Sequence, residues 1–389
     1  MKKIGIITTF KANNYGAELQ AFALQNKLKR LGYDSYLIDY LFYKNREYKS
    51  CKRSRPLREF SLLQTMKNIF LYKILLPILD VYGSFFNKNM KMRKEKFLSF
   101  HKKNSNLTRT YYSFNELYQA KFDFDVYCVG SDQVWNPNTA TSIEPYFLTF
   151  APKNARKIAY ASSFGVSDIE EEKLKKKYTQ LLNNIDILSS RELQGVQLIK
   201  RLTGREAENV LDPTLLLQKE EWEEYISYDN NPHKERYIVL YNIHESASIL
   251  KLAYKIHKET GYPILKICKR AILLPHHKNV INIKTAGPAE FLGLMHNAAY
   301  VITNSFHGTV FSIIFQRKFF SIMPNNANNN SRVENFLGMI GLKDRLFFDN
   351  DDIDKIQYND EVDYKLAKSN IDFQRGLSIK YLVNAIENS

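Results

Sequence analysis

The stretch Ala298-Ala299-Tyr300-Val301-Ile302-Thr303-Asn304-Ser305-Phe306-His307-Gly308-Thr309-Val310-Phe311-Ser312-Ile313-Ile314-Phe315 decides the fold. Its first part, Ala298 to Thr303, is apolar and β-branched and reads as a buried strand. Its last part, Val310 to Phe315, reads as a buried helix. A polar elbow between a buried strand and a buried helix falls at the carboxyl end of a sheet strand, where open α/β sheets bind ligands. The helix start offers free backbone N–H groups and a positive dipole end to an anion. His307 therefore stands as a proton-transferring group beside a phosphate or carboxylate cradle. The competing reading is a histidine that caps the helix or fills the turn.

Working outward, the same alternation recurs on both sides of the chain. Ile4–Thr9 reads as a strand, Ala17–Leu31 as a helix closed by Gly32, and Ser35–Tyr40 as a second strand. Val126–Val129, Ile158–Ala161 and Ile185–Ser189 follow as strands, with a charged helix over Asp168–Asn184. After a polar connection, Gln218–Arg236, a second series begins. It has strands at Tyr237–Asn242, Pro263–Cys268, Val280–Ile283, Tyr300–Thr303 and Phe319–Met323, and helices at Ser246–Thr260, Pro288–Asn297 and Ser331–Ile340. The expected fold is α/β, with two Rossmann-like domains facing a cleft. Residues 1–217 form the first domain and 218–364 the second, and 365–389 is a C-terminal unit whose helix, read over Leu377–Asn388, crosses back to the first.

At 389 residues the chain exceeds one typical core. A hydrophobic content of 44% and an aromatic content of 13% exclude a mostly disordered chain. Cys51, Cys128 and Cys268 form no CxxC pair, which points to a reducing compartment and away from a cysteine zinc site. The adjacent His276 and His277 suit a loop better than a shared metal, so no metal site is expected. The apolar run Ile4–Ile7 is too short for a signal peptide, and a cytoplasmic protein is expected.

The net charge of +15 is concentrated. Lys44–Lys103 holds 16 Lys/Arg against 4 Asp/Glu, inside an insertion spanning about 44–105. Its apolar block, Ile69–Phe86, is broken by Lys73, Pro77 and Asp80, a poor membrane span. Basic clusters flank it: Lys52-Arg53-Ser54-Arg55 before, and Lys91 to Lys96 after. Residues 52–103 thus suit contact with an anionic membrane surface. The alternative is a helical insertion packed on the first domain. No nucleic-acid-binding signature accompanies the charge, so nucleic acid is not an expected partner.

Four polar turns close predicted strands: Asn13–Gly16, Gly130–Trp135, Ser162–Gly165 and Ser305–Thr309. They supply the expected substrate contacts: Asn14, Gly16, Ser131, Asp132, Gln133, Trp135, Ser163, Ser305, Gly308 and Thr309. Asp132 suits sugar hydroxyls. Trp135 suits either a sugar face or the core. Arg191, also at a strand end, suits a bidentate clamp on phosphate or carboxylate, or else a salt bridge to Glu192 or a nearby acid. The GxxxxGK[ST], GxGxxG, HExxH and GxSxG patterns are all missing.

Read together, several segments resemble the polysaccharide pyruvyl transferase family. They are Asn14-Tyr15-Gly16-Ala17-Glu18-Leu19-Gln20-Ala21, Val129 to Trp135, Ser162 to Gly165, Ser190-Arg191-Glu192, Leu211-Asp212-Pro213 and Asn304 to Thr309. The resemblance implies a GT-B-like fold and a reaction in which phosphoenolpyruvate places a pyruvyl ketal across two sugar hydroxyls. It implies contact of Arg191 and His307 with phosphoenolpyruvate, no further cofactor, and acceptors that are commonly lipid-linked glycans at the inner membrane face. Family members often carry Arg two residues before that histidine, where this chain has Ser305. Arg332 is the preferred replacement, with Lys266, Lys269 and Arg270 the others. Two other readings compete: a glycosyltransferase using a nucleotide sugar on the same fold, and a non-catalytic membrane-surface adaptor.

Overall fold

Four parallel strands begin the chain: β1 (Lys3–Ile7), β2 (Asp34–Leu37), β3 (Val126–Val129) and β4 (Arg156–Ala159). They lie in the order β2-β1-β3-β4. A short strand β5 (Ser189–Ser190) continues this sheet through bridges from Ile158 to Ile187 and from Ser162 to Ser190, and pairs with β6 (Glu208–Asn209). An order of 2-1-3-4-5 has its switch point between β1 and β3. The computed structural model describes residues 1–41, 88–138, 143–229, 236–268, 277–325 and 330–388. Most of the basic insertion, including 52–55 and the apolar block 69–86, lies outside these residues, as do Cys51, Lys269, Arg270 and His276.

The second sheet holds β7 (Ile238–Tyr241), β8 (Ile264–Ile267), β9 (Val280–Ile283), β10 (Tyr300–Thr303), β11 (Lys318–Met323) and β12 (Leu346–Phe348). All are parallel, in the order β12-β11-β10-β7-β8-β9. This is the Rossmann order, with its switch point between β7 and β10. The two Rossmann-like sheets form the GT-B-like pair expected from the sequence.

Helices cover both sheets. In chain order they are α1 (Tyr15–Arg30), α2 (Lys88–Asn104), α3 (Glu172–Leu182), α4 (Leu193–Thr203), α5 (Ala247–Thr260), α6 (Pro288–Asn297), α7 (Phe306–Ile314), α8 (Ser331–Ile340) and α9 (Tyr364–Glu387). Helix α7 is apolar around its circumference because it is enclosed on all sides. It starts at Phe306, earlier than its apolar run, because the Ser305 hydroxyl accepts from the Gly308 N–H and caps it. Helix α9 begins at Tyr364, where Asp363 caps it, well before the Leu377 start read from the sequence. Its Ala367 and Ile371 enter the core of the second domain, and Leu382, Ala385 and Ile386 pack with Ile4 and Ile158 of the first.

Only α2 is described from the basic stretch. Phe97 and Phe100 bury one side of it in the core shared by Tyr15, Phe22 and Phe291. Lys88, Lys91, Lys94, Lys102 and Lys103 stay exposed on the other. The described part of the insertion is therefore a packed helix with a basic outer face. Among the described residues no helix is long and apolar enough to cross a membrane.

Tyr15 joins the domains. Its hydroxyl donates to the Ala286 carbonyl oxygen at 2.7 Å, and its ring stacks on Phe291 with centroids 4.5 Å apart. Replacing Tyr15 by Phe keeps the stack and leaves that buried carbonyl oxygen without its donor. We expect a stability loss of about 1–3 kcal/mol in urea unfolding.

Candidate active site

Three strand ends of the first domain deliver acids to one guanidinium. The Arg191 side chain is 2% exposed, at the turn after β5. Its Nη1 donates to Asp212 Oδ2 at 2.8 Å and its Nε to Glu192 Oε1 at 3.0 Å. Longer contacts of 3.4 Å run from Nη1 to Ser131 Oγ and from Nη2 to Asp132 Oδ1. Burial acts to lower the Arg191 pKa, but Glu192, Asp212 and Asp132 outweigh it and raise it, so the group stays charged. Of the two readings of Arg191, the structure realises the salt bridge: its donors are engaged by acids of its own domain.

The second domain adds His307 from the first turn of α7. The side chain is 11% exposed and its Nε2 lies 3.7 Å from Asp212 Oδ2, an ion-pair separation too long for a direct hydrogen bond. That Nε2 is buried without a hydrogen-bond partner. On its other side the ring lies against Gly16. A Cβ built on Gly16 would fall 2.1 Å from His307 Nδ1, so only glycine fits there. Burial would raise the Asp212 pKa, but His307, Arg191 and the Thr214 hydroxyl outweigh it and hold it well below the usual carboxylate range.

Arg332, at the start of α8, also approaches Phe306. The guanidinium carbons of Arg191 and Arg332 lie 5.4 and 5.9 Å from that ring's centroid. Burial, then repulsion by Arg191, lowers the Arg332 pKa, and its buried Nε has no hydrogen-bond partner. The two arginines help to line a cavity of about 220 Å³ with Glu192, Asp212, Phe306 and Phe336.

The other expected contacts divide. Asp132, in a left-handed conformation (φ 74°), and Gln133 are half-buried at the end of β3. Asn14 caps α1, its side chain accepting from the Gly16 N–H at 3.0 Å. Ser131 and Ser163 are fully buried and hold acids: Ser131 Oγ donates to Asp212 at 3.2 Å, and Ser163 Oγ to Glu192 at 2.8 Å. Thr309 is also buried, bonded to Ser321 at 2.6 Å. Gly308 packs against Thr303, where a Cβ would fall 2.4 Å from the Thr303 hydroxyl oxygen.

Trp135 is a correction. Its ring is 0% exposed, stacks on Phe147, and donates to the Tyr146 carbonyl oxygen at 2.9 Å, so it is a core residue with no face for a sugar. Lys266 pairs with Glu245 at 2.8 Å, at the end of β8. Asp212 and Glu192 were missing from the candidate contacts, although each stands in a strand-end motif already singled out. Among the described residues no group of three His, Cys, Asp or Glu side chains is placed to hold a metal ion.

The site therefore sits at the carboxyl ends of both sheets, beside the β1–β3 switch point of one and the β7–β10 switch point of the other. That defines a class: a two-domain α/β protein with a buried cluster of charged and titratable side chains drawn from both domains. The chain belongs to the polysaccharide pyruvyl transferase family, whose model matches residues 14–326. It is thus a transferase of polysaccharide assembly. Among curated proteins, no sequence relative is found. Solved structures similar to it include a UDP-GlcNAc 2-epimerase from Methanocaldococcus jannaschii, at 13% identity and TM-score 0.48, covering 97% of this chain and 100% of that one. The UDP-GlcNAc 2-epimerase of Neisseria meningitidis has 10% identity and TM-score 0.43, covering 99% and 100%. The glycosyltransferase SnogD of Streptomyces nogalater has 9% identity and TM-score 0.46, covering 99% of each chain.

The depressed Asp212 pKa fixes a sign. A carboxyl held below its unfolded value stabilises the fold above that value, about 3.9 for Asp, and loses the contribution as pH falls toward the folded pKa. Lowering the pH from 6 to 3 should therefore destabilise the native chain more steeply than Asp212→Asn, read from urea midpoints at each pH.

Proposed function

We propose that this chain transfers the pyruvyl group of phosphoenolpyruvate onto two hydroxyls of a sugar, with His307 as the proton donor. The observation that carries this reading is the His307 Nε2: buried at the junction of both domains, faced by a carboxylate at 3.7 Å, and without a hydrogen-bond partner. A proton there has a counter-charge in Asp212 and no acceptor in the protein, so it remains available to a substrate.

The chemistry uses these residues in order. His307 delivers a proton from Nε2 to the CH2 carbon of the enol, which becomes a methyl group. The electron-poor C2 that results is attacked by one sugar hydroxyl. The C2–O bond to phosphate then breaks, and the second hydroxyl closes the ketal. Of the two hydroxyl protons released, one restores His307 and the other leaves with phosphate. Arg332, with a free buried Nε, supplies the cation for the phosphate or carboxylate that Ser305 does not. Arg191 fixes Asp212 and Asp132, and in this reading Asp132 accepts from a sugar hydroxyl. The reading asks for no cofactor beyond phosphoenolpyruvate.

The acceptor is a lipid-linked glycan in this reading, met at the inner face of a membrane. The exposed lysines of α2 support it, since a basic helix face is drawn to anionic headgroups at about 1 kcal/mol per residue. Deleting α2 would open the core at Phe97 and Phe100, so charge reversal is the cleaner test. Lys91→Glu with Lys94→Glu should reduce co-sedimentation with phosphatidylglycerol vesicles; unchanged sedimentation would remove α2 from the contact.

The decisive experiment follows phosphate release from phosphoenolpyruvate in the presence of nitrophenyl or lipid-linked galactosides, with product mass read in parallel. The native chain should release phosphate with a matching mass gain, and His307→Ala should lose at least about 100-fold of that rate while keeping its fold. Full activity in His307→Ala sinks the acid assignment. Thermal protection by a nucleotide sugar, with none from phosphoenolpyruvate, would replace the reading by glycosyl transfer.

A further inference from the structure

We infer that Arg93, carried by α2 at the close of the basic insertion, is a positioning residue for His307, acting through the turn Asn13–Gly16. The inference rests on the reading of His307 as the proton donor.

Five contacts make the line. Arg93 is 6% exposed, and its Nη2 donates to the Asn13 carbonyl oxygen at 3.2 Å. Its guanidinium carbon lies 5.1 Å from the Tyr15 ring centroid and 4.9 Å from that of Phe97, so the cation is plated by both rings. Asn13 is left-handed (φ 53°), and Asn14 then caps α1 through the Gly16 N–H. Gly16 meets the imidazole with no slack, since an added Cβ would fall 2.1 Å from Nδ1 and 2.6 Å from Cγ and Cε1. A shift of the turn toward the ring therefore displaces it, and a shift away leaves it unsupported on that side.

Helix α2 is braced on the domain that carries His307. Lys96 pairs with Glu290 of α6 at 2.5 Å, and its stem lies against Gly287, where a Cβ would fall 2.6 Å from that of Lys96. Helix α2 is also held on the first domain, where His101 Nε2 lies 2.8 Å from Glu18 Oε2 and Phe100 packs on Phe22. Arg93 thus grips the turn Asn13–Gly16 from a helix that spans both domains, and helps to set how closely Gly16 lies on His307. A guanidinium suits the task because one planar group donates along its edge to Asn13 while its face packs on aromatic rings.

The test uses the full chain with 15N-labelled histidine, the His307 ring signals being those lost in His307→Gln. In Arg93→Met the His307 signals should move, while those of His257, tied to the Tyr262 carbonyl oxygen at 2.7 Å on distant α5, stay in place. Phosphate release from phosphoenolpyruvate should fall about 10- to 100-fold in kcat, with KM for phosphoenolpyruvate held within about twofold. Arg93→Lys, which keeps the charge without the planar fork, should restore part of kcat. Unmoved His307 signals, or a rate loss that only tracks the unfolded fraction, would overturn the inference. If the native chain does not turn over phosphoenolpyruvate, the proton-donor assignment falls, and the ring signals alone decide whether Arg93 positions His307.

Discussion

One buried positive charge holds the first domain's half of the site together. Asp132 follows β3, Glu192 follows β5 and Asp212 follows β6, and all three carboxylates converge on Arg191. Two like charges roughly 4 Å apart repel by about 4 kcal/mol at an effective dielectric near 20, so three bare acids would push these strand ends apart. With the guanidinium in place they instead define one surface, and Asp212 is left facing His307. The Ser131 and Ser163 hydroxyls hold two of these acids in register.

The elements were largely legible because their periods are clean. β3, β10, α6 and α8 run as read from the chain, each a short apolar strand or a helix with a marked start. The extent of α9 was not, since Leu366 and Phe373 are exposed and the helix relies on contacts with both domains rather than on a single apolar stripe. Trp135 was ambiguous because a polar turn says where the backbone goes and not which way its aromatic side chain points. Arg191 was open for the same reason. Its salt-bridge partners Asp132 and Asp212 are remote in sequence, and only the sheet order brings them together.

Two switch points facing each other explain why the site needs both domains. At each switch point the strands stay paired while the connections that follow them leave toward opposite sides, and the turns there carry Asn14, Gly16, Ser131, Asp132 and His307. Neither switch point by itself brings His307 to Asp212. The interdomain contacts of Tyr15 and Lys96 thus belong to the site as much as to stability.

The contact between Gly16 and His307 has a consequence for how the sequence can change. The space that a side chain at 16 would need is already filled by the imidazole at 307, although 291 positions separate them in the chain. The two sites are therefore one unit of substitution. A larger residue at 16 becomes sterically admissible only once the ring at 307 is gone, and by then the imidazole facing Asp212 has gone with it. Drift at position 16 is thus closed off by geometry for as long as the histidine stays.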